Sequence, residues 1–189
     1  MLKKLNELIH NYFACGMLRE LTGTISFELA ASCRYINEKG KIVYCGHQWC
    51  VRRDALNHIL EALTQQQDKI AEAKDFEAMY KIVSDTKIPY IGPLTKYDIA
   101  MRVGYLQSPK VLPQDLVYIH AGTEKGAKAL HQRGLLKNKP SHTMDVKDFE
   151  FLSELKNLDK EKHGIPEDAT FAMIVEDFLC VMHEELEKL

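Results

Sequence analysis

Polar and nucleophilic side chains gather at a few places along the chain. Cys45-Gly46-His47-Gln48-Trp49-Cys50, with Cys33 upstream, offers thiolates and an imidazole of the kind zinc accepts. Its spacing is C-x₄-C with no second paired motif, so small buried thiols beside the lone Trp49 are the plainer expectation, and whether Cys33, Cys45 and Cys50 bind a metal stays open. His47 and Gln48 form a polar pair suited to lining a pocket. Gly122-Thr123-Glu124-Lys125-Gly126 lacks the spacing and lysine of a phosphate loop, and reads as a turn in which Thr123 caps a helix over 124–132. Glu176 and Asp177 are adjacent on a helix, pointing about 100° apart, and so cannot face each other; one is expected to cap or to pair with a base in the core. Cys180 reads as a packing thiol. Asp98, Asp115 and His120 are the acid–base candidates: a carboxylate can activate water or steady a positive charge developing on a sugar. Arg102, four residues after Asp98, competes as its structural partner.

The elements that must position these groups centre on Ile88-Pro89-Tyr90-Ile91-Gly92-Pro93-Leu94-Thr95-Lys96. Phe76, Met79, Tyr80 and Val83 recur at helical spacing before it, and Leu94, Tyr97, Ile99, Ala100, Val103 and Leu106 after it. Two helices therefore flank a tight turn over about 76–106. Pro93 suits the first turn of the second helix, and Gly92 is expected to supply a positive φ that a β-branched residue would not tolerate. The free N–H groups at that helix start can hold an anion such as a nucleic-acid phosphate. An ordinary helical packing corner remains the alternative.

This segment resembles the helix-hairpin-helix of the superfamily of base-excision DNA glycosylases, whose pattern runs roughly Leu-Pro-Gly-Val-Gly-x-Lys-Thr-Ala, followed some twenty residues later by Val-Asp-Thr-His. Val117-Tyr118-Ile119-His120 is similar to the second pattern, and the resemblance covers about 76–134. It implies an all-α, DNA-glycosylase-like helical bundle and a DNA-repair partner gripped by its backbone. Tyr90 or Ile91 would lie against the sugar-phosphate, the N–H groups near Gly92 and Thr95 would hold a phosphate, and Lys96 would add charge. A monovalent cation at the hairpin carbonyls is implied as well, and no other cofactor is expected. The chain departs from the pattern where chemistry sits: Leu94 occupies the nucleophilic lysine's position and Tyr118 that of the essential aspartate. Lys96 lies about 200° around the helix from Leu94 and is no substitute. Lysine-dependent lyase chemistry is therefore not expected; any glycosylase-like hydrolysis would be monofunctional, with Asp98 or Asp115 assisting water.

Composition narrows the class. With 189 residues and 46% hydrophobic side chains the chain can bury a core, as one helical domain or as two small lobes sharing a cleft. Met1-Leu2-Lys3-Lys4 opens an amphipathic helix rather than a signal peptide, no apolar run is long enough to span a bilayer, and five scattered cysteines suit a reducing, cytoplasmic compartment. The net charge of −2 hides an asymmetry, since 81–140 carry 10 basic and 4 acidic side chains while 141–189 carry 5 and 13. Lys87, Lys96, Arg102, Lys125, Lys128 and Arg133 would form a positive patch, and the acidic last third would repel DNA. That acidic third favours the competing class, a small-molecule enzyme or protein-interaction module using the cleft, with the oligomeric state open.

Local signals place helices over 2–13, 25–33, 55–66, 74–83 and 94–106, with Asp54 as the cap of the third, and a last helix opened by Pro166. Strand signals are confined to Cys33–Ile36 and Lys41–Tyr44, a single hairpin at most. Leu136–Lys147 reads as the best internal linker.

Overall fold

Each periodic stretch becomes a helix, bounded by the cap or breaker beside it. The computed structural model describes residues 1–14, 16–48 and 50–189. In chain order the elements are α1 (Leu2–Asn11), α2 (Gly16–Glu20), α3 (Phe27–Ala31), β1 (Arg34–Ile36), β2 (Ile42–Tyr44), α4 (Arg53–Thr64), α5 (Gln67–Ala71), α6 (Phe76–Asp85), α7 (Pro93–Tyr105), β3 (Leu116–Tyr118), α8 (Ala121–Gln132), β4 (Thr143–Asp145), α9 (Phe171–Val181) and α10 (His183–Leu186). Short 3-10 turns cover Leu21–Gly23, Gly46–Gln48 and Val146–Asn157. The protein is mostly helical, and among the described residues no helix is long and apolar enough to cross a membrane.

Two compact units share the chain, Met1–Arg19 with Gln114–Leu189, and Glu20–Pro113. In the second, Ser26 caps α3 and Asp75 caps α6, the latter through the Ala78 N–H at 2.8 Å. Helix α7 is the axis of this unit: Thr95 and every residue from Tyr97 to Gly104 are buried. Helices α3 and α6 pack on it, with Phe76 meeting Tyr97 edge-to-face at 5.7 Å. A side chain at Gly104 would meet the Val111 carbonyl at 2.0 Å, so only glycine lets the returning chain approach. Strands β1 and β2 pair antiparallel, with Arg34 opposite Tyr44.

In the first unit α9 is the buried helix, with Ala172 to Leu179 inside, and α8 lies against it. Gly126 makes that contact close, a Cβ there falling 2.3 Å from the Leu179 carbonyl oxygen. Strands β3 and β4 form a second antiparallel pair, Val117 opposite Met144.

Several expectations are corrected. Sheet is not confined to 33–44, because β4 finds its partner in β3, and the supposed linker 136–147 lies inside the first unit and contributes β4. Gly92 has φ −81° and open space around a would-be Cβ. The left-handed residues of the turn are Lys87 at φ 51° and Tyr90 at φ 66°. Asp54 is not the cap of α4 but lies in its first turn, with Arg52 at the cap position. Thr123 is not a cap either: α8 starts earlier, at Ala121 after His120, and the Thr123 hydroxyl is used elsewhere. The last long helix opens at Phe171, capped by Thr170, and not at Pro166.

Candidate functional site

The hairpin and the polar network behind it lie together in the second unit. From Thr86 the chain turns through Lys87 and Tyr90 and enters α7 with Gly92 at the cap position and Pro93 following it. Glycine carries no capping oxygen, so no side chain of the cap residue satisfies the first N–H groups of α7. Tyr90 is 70% exposed. The Arg52 guanidinium lies over its ring at 5.1 Å and also pairs with Asp54 at 2.6 Å. Ile91 is buried, so the turn presents Tyr90 outward and anchors itself through Ile91. Lys87 is exposed and Lys96 half-buried.

Beside the turn opens a cavity of about 380 Å³, lined by His47, Gln48, Cys50, Val51, Arg52, Tyr90, Gly92, Leu94 and Thr95. Behind it, the buried Gln48 accepts the Thr95 hydroxyl at 2.6 Å and donates its amide to Asp98. Thr95, Asp98 and Arg102 follow one another at i, i+3 and i+7, hence on one face of α7. Asp98 is fully buried, and His47 Nδ1 stands 3.9 Å from Asp98 Oδ2. Oδ1 has no hydrogen-bond partner among the described residues. Burial pushes this carboxyl up to about 6, against the pull of His47, Arg102 and the Gln48 bond. Asp98 meets the cavity lining at two residues, Gln48, which it holds in place together with Thr95, and His47.

Arg102 is not part of a surface patch. It is completely buried, donating to Glu20 at 2.8 Å and to Thr24 at 2.7 Å. A cation on a helix this deeply covered needs such a partner, because a lone buried charge is prohibitively costly. Lys125 and Lys128 lie on α8 and Arg133 just after it, in the first unit, where Lys128 pairs with Glu124 at 2.5 Å.

Cys33 and Cys45 are buried at the base of the β1–β2 hairpin, joined by the Cys45 N–H to the Cys33 carbonyl at 2.9 Å. Burial pushes the Cys33 thiol well above its ordinary value and Cys45 up to about 12, which disfavours the thiolate a metal would need. Cys50 is exposed. Among the described residues no group of three or more His, Cys, Asp or Glu side chains could hold a metal ion. Trp49 lies outside the described residues.

The remaining candidates belong to the first unit. Asp115 is exposed, and its carbonyl accepts the Val146 N–H at 2.8 Å beyond the β3–β4 pair. His120 precedes α8, its side chain 10% exposed and 3.8 Å from Glu176. Glu176 accepts the Thr123 hydroxyl at 2.6 Å, while Asp177 accepts that of Tyr12 at 2.5 Å. The two adjacent carboxylates thus serve different neighbours, as their angular separation requires.

Sequence reasoning missed Glu20 and Thr24 as the partners of Arg102, and Arg52 as the partner of Tyr90. The consecutive Arg52-Arg53 just ahead of Asp54 was the one available signal, since a helix start disfavours cations. Comparison of the chain with protein-family models, with curated proteins and with solved structures finds no match.

Proposed function

We propose that this chain binds DNA by its sugar-phosphate backbone, with the α6–α7 hairpin as the gripping element, and that it lacks lysine-dependent lyase chemistry. The observation that carries this reading is the hairpin mouth: a helix start with no capping side chain, flanked by the outward Tyr90, its guanidinium partner Arg52, and Lys87 and Lys96. Backbone N–H groups at such a start attract phosphate, and nearby cations release counterions on binding. A monovalent cation at the hairpin carbonyls belongs to the same proposal. The lack of lyase chemistry is supported by the sequence, where Leu94 stands at the position that the resemblance gives to the nucleophilic lysine.

Fluorescence anisotropy with a labelled duplex tests the binding. Affinity is expected to fall steeply with salt, and Lys96→Glu to weaken binding to every sequence alike. Absence of binding at low salt refutes the reading. A covalent adduct trapped by borohydride on lesion-containing duplexes refutes the chemical half of it.

A second reading rests on Asp98 and His47: a buried carboxyl whose proton burial holds up to about pH 6, behind a 380 Å³ cavity, suits acid–base work on a small polar ligand. Saturable binding of a small polar ligand at this cavity, weakened by Asp98→Asn and by His47→Gln, would favour it; base release without trapping would instead make the chain a monofunctional DNA hydrolase.

A further inference from the structure

Two tyrosines on the surface of the second unit carry arginines over their rings, and those arginines are consecutive. Arg52 lies over Tyr90 at 5.1 Å, and Arg53 over Tyr44 at 3.6 Å. Arg34, across the β1–β2 pair, approaches the Tyr44 ring at 6.0 Å. The start of α4 thus carries one arginine toward β2 and the next toward the hairpin turn. Arg52 and Arg53 are exposed, as are Lys39 and Lys41 in the β1–β2 connection. Of the nearby acids, Glu28 is tied to Arg34 at 2.7 Å and Asp54 to Arg52 at 2.6 Å, and Glu38 lies in the β1–β2 connection, three carboxylates against the five cations Arg34, Lys39, Lys41, Arg52 and Arg53. The strip keeps a net positive charge.

Folding alone gives little reason for this arrangement. Arg52 and Arg53 stand at the cap and first position of α4, a 12-residue helix whose positive end opposes cations. Tyr90 holds φ 66°, a conformation unfavourable for a residue with a Cβ, and spends it on presenting its ring to solvent. Both departures aim flat, preoriented π surfaces outward from a cationic strip.

We infer that the Tyr90–Arg52 and Arg53–Tyr44 pairs are a stacking platform for unpaired bases, so that the favoured DNA carries a single-stranded or looped segment beside the backbone held at the hairpin. The inference rests on the DNA-binding reading above. The Tyr90 ring and the Arg53 guanidinium plane are the two stacking faces. Duplex DNA buries its base faces in its own stack, and only unpaired bases can lie on such surfaces. Stacking of this kind is worth roughly fivefold to over a hundredfold in affinity per base.

The test uses the full chain and three labelled oligonucleotides of one length: a duplex, the same duplex with a central run of unpaired thymines, and a single strand. The looped and single-stranded forms are expected to bind about tenfold or more tighter than the duplex. Tyr90→Ala and Arg53→Lys should each erase most of that preference while leaving the salt slope unchanged, since neither alters charge, and Tyr90→Phe should retain it. Circular dichroism confirms folding; should Tyr90→Ala not fold, Arg53→Lys carries the test alone, because it keeps the charge and removes only the plane. Equal affinity for all three forms, or a preference that survives Arg53→Lys, overturns the platform while DNA binding stands. Failure to bind any of the three refutes the DNA reading itself.

Discussion

Asp98→Asn is expected to stabilise the protein at neutral pH, although it removes a buried group with a hydrogen bond. In the unfolded chain this carboxyl titrates near 3.8, and in the folded unit burial lifts it to about 6. Below about pH 4 both states hold the proton and the group costs nothing. Between the two values the folded state keeps a proton the unfolded state has lost, so stability falls as pH rises and the penalty is complete above about pH 6. At about 1.4 kcal/mol per unit, a lift of about two units costs about 3 kcal/mol at pH 7.5. Asparagine keeps an acceptor for the Gln48 amide and carries no charge to bury. Urea unfolding followed by circular dichroism should show a benefit that grows by about 2 kcal/mol between pH 4.5 and 7.5. His47, 3.9 Å from the carboxyl, is controlled by repeating the comparison in a His47→Gln background; Arg102 and Glu20 are the other charges acting on Asp98. Loss of stability at pH 7.5, or an identical effect at both pH values, would refute the reasoning, because either outcome means that Asp98 carries its charge at no cost.

Arg102→Leu should destabilise the second unit by about 3–5 kcal/mol, since it leaves Glu20 buried without its guanidinium; a chevron or equilibrium melt that shifts by less than about 1 kcal/mol contradicts the ion pair. Gly126→Ala should weaken the α8–α9 contact by more than about 2 kcal/mol, because its Cβ would meet a carbonyl at 2.3 Å that cannot swing aside. Gly92→Ala should be nearly neutral in the same thermal melts, given φ −81° and open space at the site.

The hairpin was legible because its signals are local. The Asp75 cap lies three residues from the N–H it accepts, Pro93 stands at the first position of α7, and the apolar spacing on either side needs no tertiary information. The two strand pairs differ for the same reason. β1 and β2 are joined by a short turn and could be read, whereas β3 and β4 pair across the whole of α8, and three-residue strands carry too little pattern to reveal a partner that distant. Thr123 illustrates the limit for side chains. A threonine near a helix start caps by default, and only the fold brings Glu176 to it, 53 residues away. Arg102 is harder still, because a cation on a helix implies solvent unless the helix is covered all round. α7 is covered, and the carboxylate that makes burial tolerable comes from Glu20, 82 residues upstream.

Gly92 and Tyr90 show where a local rule gave the right turn for the wrong reason. Punctuation by proline and glycine marked the bend, but the glycine takes an ordinary φ and the left-handed conformation falls to an exposed tyrosine. A glycine at position 90 would adopt φ 66° without steric penalty, and nothing about burial asks for an aromatic ring that is 70% exposed. Local preference and solvent exposure both argue against tyrosine there, as the helix dipole argues against Arg52 and Arg53 at the start of α4. Where consistent sequences break their own rules, the strain is typically retained at a working surface. Two such breaks meet at one contact, the Arg52 guanidinium over the Tyr90 ring, and that coincidence is the reason we propose the hairpin mouth, rather than the buried Asp98 network behind it, as the working surface of the second unit.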